Sequence, residues 1–271
     1  MLVDILLPTY QGGRYLAAQL DSLLAQTHTE WVVRWSDDGS SDDTVAIMER
    51  YTQAFPHQFI RNQAPERQGS SRHFLWLMTQ STAPWVMLCD QDDVWLPHKI
   101  AQTLQLLADV DSKRPALAFT DMRVTDAQLQ VLQPSFSKAQ KLQPEKILSM
   151  GLAAVCAQSM AAGCTMLFNR AAIKVIPPLG DYPYQHDHWM VIHVVAHGGV
   201  VRYLPEATMD YRQHGSNEVG AKAVNWQYLS DKAVDKTGFR EQWTRGLDFL
   251  QRPPSRWSVL YFKLKINLSR W

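Results

Sequence analysis

Short apolar runs recur along the chain, each closed by a polar turn and followed by apolar positions at helical spacing. Val3–Leu7, Trp31–Trp35, Phe59–Arg61, Trp85–Leu88 and Leu117–Thr120 read as strands, with Thr165–Phe168 and Val200–Leu204 extending the series. Between the first two, Tyr15–Ala25 places Leu16, Leu20, Leu23 and Leu24 along one helix face. Ser41 and Asp42 offer short side-chain oxygens to the free N–H groups of a helix running toward Phe55. Further helices are predicted at Phe74–Met78, at Pro97–Leu107 with the proline in its first turn, and at His188–Ala196. Strands alternating with helices predict an α/β fold with a Rossmann-like, mostly parallel central sheet flanked by helices. Residues 133–162 are irregular and then helical, which reads as an insertion or lid. Beyond Glu218 the pattern is helical, basic and rich in Trp.

With 271 residues, 46% of them hydrophobic, the chain suits one catalytic domain with an appendage. No apolar run approaches the roughly 18–20 residues of a membrane span. The opening Met1-Leu2-Val3-Asp4 carries no basic leader, so a cytoplasmic chain is expected. Cys89, Cys156 and Cys164 lack the paired spacing of zinc or redox motifs and read as reduced structural thiols. Charge is unevenly spread. Residues 1–111 hold 14 acids against 7 bases, which suits a bound cation; residues 222–271 hold 4 against 10, which suits an anionic surface. No nucleic-acid partner is expected.

In an open α/β sheet, ligands bind beyond the C-terminal strand ends. Three apolar runs end there on polar groups: Pro8-Thr9-Tyr10, Ser36-Asp37-Asp38-Gly39, and Asp90-Gln91-Asp92-Asp93. Asp90 and Asp92, one residue apart, can converge on a hard cation while Asp93 points elsewhere; a solvated acidic loop is the plainer alternative here, and a helix cap for Asp37-Asp38. A site with few protein ligands is typical of magnesium or manganese and implies a diphosphate. Neither a P-loop nor a Gly-any-Gly-any-any-Gly fingerprint is present, and Gly12-Gly13-Arg14 is too thin for a nucleotidyltransferase loop. Metal and side chains must therefore hold the diphosphate. Arg72 and the cluster Tyr211-Arg212-Gln213-His214-Gly215 supply cationic and imidazole groups that fit, although each alone suits a surface ion pair or a structural histidine. Asp187, within His186-Asp187-His188-Trp189, is the remaining candidate for a general base, or else an acid at a helix N-terminus.

Taken together, these stretches resemble the family 2 glycosyltransferases with the GT-A fold, most closely their bacterial rhamnosyltransferase-like members. The likeness also takes in Gln19-Leu20-Asp21-Ser22-Leu23-Leu24 and Gly163-Cys164-Thr165-Met166-Leu167-Phe168-Asn169-Arg170, and it spans residues 3–217. It implies a catalytic domain over 1–217, with a nucleotide-binding half at 1–111 and an acceptor half at 112–217, followed by a helical basic extension at 218–271. It implies that Pro8, Thr9, Tyr10 and Asp38 hold base and ribose. Arg72, Asp90, Gln91 and Arg212 would complete the nucleotide-sugar site. Asp92 would be the principal ligand of Mg2+ or Mn2+, His214 would join the metal or diphosphate, and Asp187 would be the catalytic base. Two positions depart from the family's habit of Asn: Gln11 and His73.

The resemblance implies an inverting transfer from a nucleotide diphosphate sugar, dTDP-rhamnose first and a UDP-hexose second. The acceptor would be a hydroxyl of a saccharide or lipid-linked saccharide, in cell-surface polysaccharide biosynthesis. A catalytically inactive nucleotide-sugar-binding subunit is the alternative from another class. In the tail, Trp257, Leu260, Tyr261, Leu264, Leu268 and Trp271 fall at helical spacing among Lys263, Lys265 and Arg270. That stripe suits the inner face of the cell membrane, its own domain, or the partner in a homodimer.

Overall fold

The computed structural model describes residues 1–64, 66–179, 185–215 and 250–268. Nine strands form one sheet in the order β3-β2-β1-β4-β8-β6-β9-β5, with β7 paired to β6. These are β1 (Val3–Thr9), β2 (Trp31–Asp37), β3 (Phe59–Arg61), β4 (Trp85–Leu88), β5 (Val94–Trp95), β6 (Ala116–Thr125), β7 (Val131–Gln133), β8 (Met166–Asn169) and β9 (Val200–Arg212). The pairings β3–β2, β2–β1, β1–β4 and β6–β9 are parallel, while β8 runs antiparallel between β4 and β6. The expected α/β sheet is present, but with β5–β9 and β6–β7 also antiparallel it is mixed and not mostly parallel.

The helices are α1 (Leu16–Leu24), α2 (Thr44–Ala54), α3 (Ser70–Gln80), α4 (Lys99–Gln105), α5 (Phe136–Ala139), α6 (Pro144–Ser149), α7 (Leu152–Ala157), α8 (Arg170–Val175), α9 (His186–Ala196) and α10 (Arg256–Leu268). Period-two alternation divides the core between the sheet's two faces. Ile5, Leu7, Val33, Trp35 and Met87 face α1, α2 and α4, whereas Leu6, Val86, Leu88 and Phe168 face α3, α7 and α9. Nearly every β1 side chain is buried, as a central parallel strand covered on both sides requires. Pro8 is tolerated there because β4 pairs with β1 only as far as Leu6, so no ladder bond needs the missing N–H.

Several boundaries differ from those expected. Helix α2 starts at Thr44; Asp42 still acts at its entrance, its carboxylate accepting the Thr44 N–H at 3.1 Å. Helix α4 starts two residues after Pro97, whose carbonyl accepts from Thr27 N–H instead. The stretch 133–162, expected to be irregular and then helical, holds α5, α6 and α7, each too short for its bounds to show in the pattern. Strand β9 continues to Arg212 and so carries the Tyr211-Arg212 cluster to the acidic loop, while β5 is a two-residue pairing against it. The extension expected from residue 218 lies outside the described residues except for 250–268.

Candidate active site at the strand ends

Because β1, β2 and β4 are parallel, Thr9, Asp37 and the Asp90 loop emerge at one edge of the sheet. Local hydrogen bonds knit these ends together. Thr9 Oγ1 donates to Asp37 Oδ1 at 2.9 Å, while Asp37 Oδ2 accepts the N–H groups of Gly39 (3.0 Å) and Ser40 (2.7 Å). Gly39 has φ +91°, a conformation that glycine adopts without a Cβ penalty. Asp38 is buried, and its two oxygens accept from Gln68 N–H at 2.7 Å and Gly69 N–H at 2.8 Å. The Gln91 amide brackets Tyr10, accepting its N–H at 2.9 Å and donating to its carbonyl at 2.7 Å. A Cβ on Gly12 would lie 2.2 Å from Gln91 Oε1, so that bracket depends on glycine.

Both departures from the family pattern have a structural place. Gln11 has φ +51°, the left-handed region in which Asn is enriched. Its amide reaches across to Ser41 and Asp42, which ties the two loops together. His73 is fully buried on α3 with Nδ1 3.8 Å from Asp38, and burial pushes its pKa below the usual imidazole value. Tyr10 leaves its ring 41% exposed, and the Arg67 guanidinium lies over it at 4.4 Å. Arg67 was not among the sequence candidates; a single charged residue in a polar loop gives no periodic or motif signal.

The acidic loop meets the end of β9. His214 Nε2 lies 2.8 Å from Asp92 Oδ2, so the two proposed metal ligands are brought together. Arg212 is buried: its Nε donates to the Asp92 carbonyl at 2.8 Å, its Nη1 to the Ala127 carbonyl at 2.9 Å, and its backbone N–H to Asp93 Oδ1 at 3.0 Å. The Tyr15 ring packs against both, 4.6 Å from the His214 ring and 4.7 Å from the Arg212 guanidinium. Arg212 thus clamps the loop that displays Asp92. Asp93 does not point away from its neighbours as expected, since Asp90, Asp93 and Cys164 have ligand atoms within 4.8 Å of one another.

These groups differ in fitness for a cation. Asp93 and Cys164 are buried, and burial with neighbouring carboxylates pushes both pKa values up, which disfavours their charged, metal-binding forms. A thiol is also too soft for magnesium. Donor atoms 2.8 Å apart, as in Asp92 and His214, match the roughly 3 Å between adjacent ligands of an octahedral cation with ~2.1 Å bonds. Asp92 and His214 are the pair whose chemistry and spacing suit Mg2+ or Mn2+, while Asp90 groups with Asp93 and Cys164. Behind the loop the buried Lys99 lies over the Trp95 ring at 4.8 Å, its pKa lowered by burial to about 8.

Helix α9 brings Asp187 to the same edge. His186 stacks on Phe74 at 4.7 Å, with Nδ1 3.2 Å from Ser71 Oγ on α3; His188 Nε2 donates to the Val155 carbonyl of α7 at 2.7 Å. Burial lowers both histidines to about 4, so they are neutral pins. Asp187 sits between them, and burial raises it to about 6 despite the backbone N–H of His188. The Gly163 amide also reaches its carboxylate, and the next residue, Cys164, belongs to the Asp90 cluster. A Cβ on Gly163 would lie 2.5 Å from His186 Nε2, so glycine is required for this approach. Arg72 is exposed on the first turn of α3, between Ser71, which touches His186, and His73, which faces Asp38.

Comparison with known proteins agrees with this architecture. Residues 4–119 match the sequence model of glycosyl transferase family 2. An uncharacterized glycosyltransferase of Nostoc sp. is 25% identical over 225 residues, covering 80% of this chain and 66% of that protein. The UDP-Glc:alpha-D-GlcNAc-diphosphoundecaprenol beta-1,3-glucosyltransferase WfgD of Escherichia coli is 22% identical over 110 residues, covering 39% of this chain and 41% of WfgD. Among solved structures, S. aureus TarS 1-349 in complex with UDP-GlcNAc aligns with TM-score 0.64 and 14% identity, covering 99% of this chain and 72% of TarS. The mannosyltransferase PcManGT from Pyrobaculum calidifontis, in complex with GDP-Man and Mn2+, gives TM-score 0.60 at 16% identity, covering 99% and 70%. The matches span 57–66% of the length of the first curated relatives. Residues 4–119 are thus similar to glycosyl transferase family 2, and the chain has the GT-A fold of these neighbours.

Proposed function

We propose that the chain is an inverting, metal-dependent glycosyltransferase in which Asp187 is the general base. The reading is carried by one observation: a buried carboxyl raised to about 6, flanked in the chain by two neutral histidines that fix the start of its helix, with the Gly163 amide at the carboxylate and Cys164 of the acidic cluster next to it. A base with a pKa just below neutrality is ionised at pH 7 and still basic enough to accept a proton. The acceptor hydroxyl oxygen bonds to the anomeric carbon, its proton passes to Asp187, and the bond from that carbon to the diphosphate oxygen breaks. One displacement inverts the anomeric centre. Thr9, Tyr10, Asp38 and Gln91 shape the base and ribose end, and Arg72 supplies a cation beside it. Asp92 and His214 would hold Mg2+ or Mn2+, which offsets charge on the departing diphosphate.

On the motif resemblance the donor is dTDP-rhamnose. A UDP-hexose is the second reading, favoured by the UDP-sugars in the names of WfgD and the TarS complex. The acceptor is a saccharide hydroxyl, free or lipid-linked, as in the diphosphoundecaprenol substrate of WfgD's name, and the setting is polysaccharide assembly at the inner membrane face. The test is Asp187→Asn. Transfer should fall by ~10²–10⁴-fold while metal-dependent nucleotide binding persists. Unchanged transfer would remove Asp187 as the base.

A further inference from the structure

The described part of the C-terminal extension is a helix with two apolar faces. Val259 and Ile266 are buried, and with Phe262 they pack α10 against α7; Lys263 Nζ reaches Gln158 Oε1 at 3.4 Å beside that seam. Trp257 (80% exposed), Tyr261 (57%), Leu264 (56%) and Leu268 (75%) lie on the other side. At ~100° per residue these four fall within about 60° of arc, roughly opposite Val259 and Ile266. The stripe expected from the sequence is therefore not the face that packs on the domain, and its Trp271 lies outside the described residues. Flanking it are Lys265 on one side and Arg256 on the other. From residue 250 to 268 the chain has four cations, Arg252, Arg256, Lys263 and Lys265, and no acid.

We infer that this outer face of α10 docks on an anionic lipid bilayer. A narrow Trp-Tyr-Leu stripe bordered by Lys and Arg has the makeup of a helix lying in the plane of the interface, with rings at the headgroup level and cations at lipid phosphates. Charge selects this occupant over a second copy of the chain. Two such helices paired about a twofold axis would bring their cationic borders together with no acid from either helix between them. Among the described residues no helix is long and apolar enough to cross a membrane, so this contact is made from one side. It also has a consequence that rests on the proposed function. Helix α7 carries α10 on one side and holds His188 through the Val155 carbonyl on another, so Asp187 is one helix away from the bilayer surface. A lipid-anchored acceptor would then arrive beside its base.

The test is flotation of the full chain with vesicles of equal parts phosphatidylglycerol and phosphatidylcholine, against vesicles of phosphatidylcholine alone. The wild type should float with the anionic vesicles only. The double variant Trp257→Ser/Leu264→Ser and the charge reversal Arg256→Glu/Lys265→Glu change exposed side chains, so both should keep their circular dichroism while losing at least about tenfold in partitioning. Three results would overturn the inference: a wild type that stays at the bottom with anionic vesicles, variants that float as the wild type does, or a sedimenting dimer that these variants dissociate. Thermal shifts of the same proteins with UDP- and dTDP-sugars report separately on the proposed function. A chain that floats but binds no nucleotide sugar would keep this surface and sink that function.

Discussion

The two edges of the site handle their carboxylates in opposite ways. On the nucleotide side, Asp37 and Asp38 spend their oxygens on backbone N–H groups two, three and about thirty residues away, so their charge organises loops. On the other side, the burial of Asp187 outweighs the backbone N–H groups of His188 and Gly163 that reach it, and its pKa rises to about 6. Backbone N–H groups stabilise a carboxylate's charged form, whereas desolvation opposes it. The contrast separates acids that build the site from the acid that acts in it.

The largest effect that would sharpen this contrast is at the metal edge. Asp92→Ala should weaken metal-dependent donor binding by roughly 10- to 100-fold, as loss of a ligand with its orienting partner does. Calorimetric titration with nucleotide sugar and Mn2+ measures it; unchanged affinity would place the cation elsewhere, with the Asp90 and Asp93 group next in line. Next is the pH dependence of Asp187. Its folded pKa lies above its unfolded value, so the ionised carboxylate costs stability at neutral pH, and that cost disappears as pH falls through about 6 toward the ordinary carboxylate range. Asp187→Asn should therefore unfold later than the wild type at pH 7.5, by about 1–3 kcal/mol, and the gap should close near pH 4. A gap independent of pH would mean that charge is not its origin. The smallest effect is at Asp37. Asp37→Ala leaves the Gly39 and Ser40 N–H groups without their acceptor and should cost ~1–2 kcal/mol in denaturant unfolding. A neutral result would erase the distinction between building and acting acids.

Much of the nucleotide half was legible in the sequence because its signals are local. Strands Phe59–Arg61 and Trp85–Leu88 match the expected bounds to the residue, the second because a buried strand is a continuous apolar burst bounded by polar turns. Pairings across the chain left no such mark. Nothing near Arg212 shows that its guanidinium reaches the Asp92 and Ala127 carbonyls, about 120 and 85 residues away, and so clamps the acidic loop. The motif signalled a functional cation there, but its partners depend on β9 running on to that position. Lys99 is the clearest omission. A lysine in an amphipathic helix reads as a solvated surface group, and only the fold reveals it buried over Trp95 behind the acidic loop. Helices α5 and α8 escaped, and α6 and α7 were read only as a helical stretch without bounds, because elements of four to six residues complete too few turns to show a period.

Donor binding at the strand ends is the central claim, and a thermal-shift panel addresses it most directly. UDP, dTDP, GDP and CDP and their sugars would be titrated with and without Mg2+ or Mn2+, because a ligand selective for the native state raises its apparent stability. A metal-dependent rise in Tm with UDP or dTDP compounds, reduced in Asp92→Ala and retained in Asp187→Asn, is the predicted result. No rise with any nucleotide, or a rise indifferent to both metal and Asp92, would contradict it.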